Sequence, residues 1–64
     1  MQTAQSLSLL VPKYNLLDRV VIKELEVSGT ITEIGITLSG VQYLVCYFNN
    51  GEAKRTWLFA FEVE

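Results

Sequence analysis

Histidine is absent from this 64-residue chain, and cysteine, proline and tryptophan occur once each. Without histidine the commonest general base, the Ser-His triads and most transition-metal sites are excluded. One cysteine, Cys46, permits no internal disulfide and cannot build a structural zinc site, which fits a cytoplasmic setting. Cys46 lies within an apolar run, where it reads as a small hydrophobe rather than a reactive thiol. The four glycines stand singly at turn-like places, so no phosphate-cradling loop is present. The seven acids are scattered, and Glu24 and Glu26 read as a solvated strand edge. The five bases, Lys13, Arg19, Lys23, Lys54 and Arg55, are few for phosphate neutralisation, so nucleic acid is possible but not favoured. No apolar run approaches the ~20 residues that span a bilayer. No Lys or Arg precedes Lys13, so the charged start of a signal peptide is missing. These absences predict a chain that is not an enzyme and that uses no cofactor, metal or membrane.

What remains is apolar. Half the residues are hydrophobic and 19% are charged. A chain of this length buries only about 60% of the surface its unfolded form exposes. Apolar surface is therefore left over for a protein partner or a second copy. The alternative is a dense small core.

The organising stretch is Tyr43-Leu44-Val45-Cys46-Tyr47-Phe48, followed by Asn49-Asn50-Gly51. Its aromatic and β-branched content and its six-residue length predict a central strand. Both faces are apolar, so alternation does not say whether Tyr43, Val45 and Tyr47 or Leu44, Cys46 and Phe48 point inward. Asn50-Gly51 accepts positive φ at both central positions of a tight hairpin turn. The partner strand then begins near Glu52–Lys54 and contains Thr56, Trp57 and Leu58.

Earlier in the chain, Leu7, Leu9, Leu10 and Val11 form an apolar patch in an otherwise polar terminus, ahead of Pro12. This patch predicts an added edge strand or a clip onto a neighbouring subunit, and Pro12 ends any pairing. Arg19-Val20-Val21-Ile22-Lys23 is the first strand, with Val20 and Ile22 on one face. Ser28-Gly29 marks a turn. Thr30–Leu38 alternates except for the step from Ile31 to Ile34, which predicts a bulge or bend near Glu33–Gly35. Ser39-Gly40 is the next turn. After the hairpin, Ala53–Phe59 is a strand that leaves Lys54 and Arg55 wet and buries Trp57, with Phe59 a second candidate for burial. Ala60–Glu64 makes one tight helical turn and a last short strand.

The segments Leu17–Ile22, Gly29–Ile34, Gln42–Gly51, Trp57 and Glu62-Val63 together resemble, in order and spacing, the Src-homology-3-like and Tudor-like barrels. The likeness is nearest to the short barrel proteins of unknown function in bacteria and their phages. It covers residues 14–64. Leu17-Asp18 stands where those proteins usually carry Gly-Asp, and Glu62-Val63 where they carry an acid followed by leucine. The resemblance implies an all-β, five-stranded, strongly bent antiparallel barrel that serves as a binding or assembly module.

The domain reading is an N-terminal arm over residues 1–13 and a barrel over residues 14–64. The candidate binding residues are Tyr47, Phe48, Trp57, Phe59, Lys54 and Arg55, and the candidate oligomer contacts are Leu7, Leu9, Leu10 and Val11. Aromatic anchors dominate protein interfaces. Two alternatives stand beside this reading. One is an aromatic cage for a methylated ammonium, with Glu52 or Glu62 at its lip. The other is stacking on single-stranded nucleic acid with Lys54 and Arg55 on phosphates. Against all three stands the plain reading that the aromatics fill the core.

Overall fold

Strand-forming residues separated by three short turns dictate a meander. The computed structural model describes residues 12–64. Within them β1 (Arg19–Ile22), β2 (Val27–Thr37), β3 (Gly40–Asn49) and β4 (Glu52–Phe59) form one antiparallel sheet in the order β1-β2-β3-β4. A one-turn 3-10 helix, Ala60–Glu62, follows. The oligomer contacts expected at Leu7, Leu9, Leu10 and Val11 lie outside the described residues.

The hairpin between β3 and β4 forms where Asn50-Gly51 predicts it, with φ of 55° and 79° at those residues. Asn49 faces Glu52, and the register runs without a shift to Gln42 facing Phe59. The β1–β2 turn is displaced from expectation. It falls at Lys23–Glu26, closed by the Glu26 N–H donating to the Ile22 carbonyl at 2.7 Å. Ser28 and Gly29 lie inside β2 instead. The break in alternation is resolved by an irregularity between Ile31 and Glu33, which leaves Thr32 out of register, just ahead of the expected place.

Register assigns the faces. Val20, Ile22, Gly29, Ile31, Tyr43, Val45, Tyr47 and Leu58 share the inner face. The core is Val20, Ile22, Ile31, Tyr43, Val45 and Val63, with Tyr14, Ile34, Val41 and Leu58 packed against it. Tyr43 is fully buried, yet its hydroxyl accepts from the N–H groups of Lys13 (2.7 Å) and Tyr14 (3.3 Å), and its ring meets Tyr14 edge-on. Tyr43→Phe removes the acceptor for both amides while keeping the ring. It is expected to cost about 1–2 kcal/mol in urea unfolding.

Among the described residues four strands stand where five were expected, and their sheet is not closed into a barrel. The chain end contributes a single antiparallel bridge, Ile22 with Val63. Val21 and Glu64 exchange both backbone bonds (2.8 and 3.0 Å), and the Lys23 N–H donates to the Glu62 carbonyl at 3.0 Å.

Ahead of β1, an Asn15–Asp18 turn is held by the Asn15 N–H donating to Asp18 Oδ2 at 2.9 Å. Leu17 takes φ 72° there, exposed, with its N–H donating to the Ile31 carbonyl at 2.7 Å. A branched side chain in that region is strained by about 1–2 kcal/mol. Glycine would remove the strain and give back part of the gain in unfolded-state entropy. Leu17→Gly is therefore expected to stabilise by about 0.5–1 kcal/mol, read as a higher urea midpoint.

Candidate binding face

The second face of the sheet is where the sequence and the fold disagree most about burial. Strand alternation sends Leu44, Cys46 and Phe48 of β3 outward, together with Ala53, Arg55, Trp57 and Phe59 of β4. From β1 and β2 the same face receives Arg19, Thr30, Glu33 and Gly35.

Large apolar groups remain exposed here. Phe48 is 73% exposed and Trp57 44%. Phe61, just past the strand and also 73% exposed, lies parallel to Phe59 with ring centres 5.5 Å apart. The expected burial of Trp57 is thus not what forms. Trp57 faces Leu44, and its ring reaches across β3 until Cζ3 lies 3.3 Å from where a Gly35 Cβ would stand. Gly35 therefore makes room for the indole, which lies over the sheet and keeps Leu44 covered on an otherwise solvated face.

A row of polar and charged side chains crosses the same face, from Arg19 through Thr30 and Cys46 to Arg55. Three strand spacings separate the two arginines, about 14 Å. The sole ion pair among the described residues is Lys54–Glu52 at 3.6 Å, so neither arginine has a carboxylate partner there. Cys46 is half-buried, with Sγ 3.4 Å from Thr32 Oγ1. Between Arg19 and Phe48 lies a trough of about 540 Å³, lined also by Ser28, Thr30, Cys46 and Ala53. Among the described residues no cluster of three potential metal ligands occurs, and no helix is long and apolar enough to cross a membrane.

The expected binding residues divide between the faces. Phe48, Arg55, Trp57 and Phe59 come together on the outer side. Tyr47 and Lys54 face each other on the inner side, where Tyr47 is half-buried beside Gly29 and Lys54 meets Glu52. Sequence reasoning missed Arg19 as a member. Its position one residue before Val20, a core residue, was the available signal. Phe61 lies outside the expected set, although it stacks beside Phe59.

No protein-family model, curated protein or solved structure matches this chain.

Proposed function

We propose that this chain is a non-catalytic interaction module that binds a protein partner through the outer face of its sheet. The observation that carries the reading is the shared exposure of Phe48, Trp57 and Phe61 on a domain too small to leave so much aromatic surface idle. Arg19 and Arg55 flank these rings and give the face a positive rim. We take the fold as a five-stranded, Src-homology-3-like arrangement, with Val63 as its abbreviated fifth strand. Support comes from the strand order, the helical turn after β4 and the return of Val63 to Ile22. Cytoplasmic residence belongs to the same proposal, since the lone thiol suits a reducing compartment.

The test is photo-crosslinking in cells that express the protein, with benzoylphenylalanine placed at Phe48, at Phe61 or, as a control, at Glu24. One discrete protein adduct from Phe48 and Phe61, absent from the control, is the expected result. Adducts from the control alone, or from none of the three, would defeat the proposal.

The paired arginines beside exposed rings also favour a second reading, stacking on single-stranded nucleic acid. That reading requires binding at low salt that falls steeply as salt rises. No binding at low salt dismisses it. For a methyl-ammonium cage the arrangement is less apt, because Phe59 and Phe61 lie 6° from parallel and offer one wall rather than a box.

A further inference from the structure

The two outer strands of the sheet end differently. The free side of β1 is closed by the chain itself, through the bonds from Val21 and Lys23 to Glu64 and Glu62. The outer side of β4 receives no backbone bond from the described residues.

Which groups point outward from β4 follows from its turn. A two-residue turn with positive φ at both positions closes on a pair that exchanges both backbone bonds, here Asn49 and Glu52. The ladder then alternates without a bulge. Glu52, Lys54, Thr56 and Leu58 bond to β3, while Ala53, Arg55 and Trp57 aim their N–H and C=O groups away from it. Phe59 is next in the outward series, and its N–H does turn from β3, donating to Glu62 Oε1 at 2.7 Å. Glu62 thereby stops the open edge at Trp57.

We propose that this edge pairs with the same edge of a second copy, antiparallel, about a two-fold axis between the two Thr56 residues. The two four-stranded sheets become one. Symmetry leaves few registers, because outward groups must meet outward groups. An axis at Lys54 or at Arg55 sets like charges face to face. An axis at Trp57 leaves only the Trp57 pair fully bonded, because Arg55 then meets Phe59, whose N–H is already engaged. An axis at Thr56 sets Arg55 against Trp57 of the second copy, and does so twice, and only Ala53 then meets the engaged Phe59. All outward backbone groups of both residues are then satisfied. Each Arg55 stem then lies on the outer face beside the Trp57 Cβ of the second copy, whose indole turns inward over its own β3. On the inner face the stem of Lys54 lies against Leu58 of the second copy. The pairing is isologous and closes, so it stops at a dimer. It also joins the two outer faces side by side, but it does not depend on those faces having a partner.

Sedimentation equilibrium of the full chain tests this, together with amide exchange read residue by residue. A dimer is expected at high micromolar concentration, with the Ala53, Arg55 and Trp57 amides protected only where the dimer is populated. Arg55→Pro removes an outward N–H together with the Arg55 side chain and no bond to β3, which an edge strand tolerates, and is expected to give a folded monomer. Should that variant misfold, Thr56→Lys decides. It places two ammonium groups at the axis and is expected to weaken the dimer roughly fivefold or more. A monomer at millimolar concentration would overturn the proposal. So would a dimer unaffected by Thr56→Lys, or protection of the three amides at dilutions where the chain is monomeric. The last result would mean that residues 1–11 of the same chain cover the edge.

Discussion

Gly29→Val will abolish cooperative folding, and Gly29→Ala will lower the melting temperature by about 10–20 °C. Gly29 is buried on the inner face of β2, between Val20 of β1 and Tyr47 of β3. A Cβ built there would collide with Val45 Cγ1, stand 2.9 Å from the Cys46 carbonyl oxygen and 3.3 Å from Tyr47 Cβ. The carbonyl is backbone, so relief requires moving β3, the strand through which most of the core is paired. Overpacking by a methylene costs about 1–3 kcal/mol. For a domain of this size each kcal/mol is worth about 4–8 °C. Valine adds two more carbons at the same point and exceeds the ~5 kcal/mol that such a small domain has in hand. Thermal melts followed by circular dichroism check both. Gly35→Ala is the control, since its Cβ would meet only the Trp57 ring. It should shift the melting temperature by no more than a few degrees.

The second large effect is expected at the chain end. Val63 is 2% exposed and bridges Ile22, itself 3% exposed. Val63→Asp would bury a carboxylate among the core side chains with no donor placed to receive it. A loss of about 3–5 kcal/mol is expected, which removes most or all of the ~5 kcal/mol that such a small domain has in hand. Urea titration checks it, the folded baseline shrinking or vanishing. Glu64→Ala should be nearly silent, because Glu64 contributes its backbone N–H and C=O to Val21 and its side chain is exposed. A severe Glu64→Ala together with a mild Val63→Asp would show that the Glu64 side chain, not the buried Val63, holds the chain end to β1.

Much of the meander was legible because its signals are local. Asn50-Gly51 fixes both the turn and the register beyond it, and the β-branched and aromatic runs on either side need only each other. Ser28-Gly29 misleads because glycine serves two purposes. Here it admits a close backbone approach rather than a turn, and the strand it must approach lies some seventeen residues away in sequence. The actual turn, Lys23–Glu26, carries no glycine or proline and places Glu26 at φ 57°. The binding face was half legible. Tyr47 beside Phe48 and Lys54 beside Arg55 were grouped by chemistry, whereas neighbours along a strand point to opposite sides. Which side is inward depends on Val20, Ile22 and Ile31 arriving from other strands, and an apolar run cannot announce that. The exposure of Trp57 depends on Gly35 two strands away.

The return of the chain end to β1 has a kinetic consequence. Every strand neighbour in the sheet is reached through a short turn, so those pairings close small loops at little entropic cost. The Val21–Glu64 pair joins segments separated by nearly the whole meander and closes the largest loop of all. Such contacts form late and open first. When this one opens, Ile22 loses its cover and the sheet carries bare margins on both flanks. The species most prone to aggregate is then an unlatched native-like sheet, populated without global unfolding.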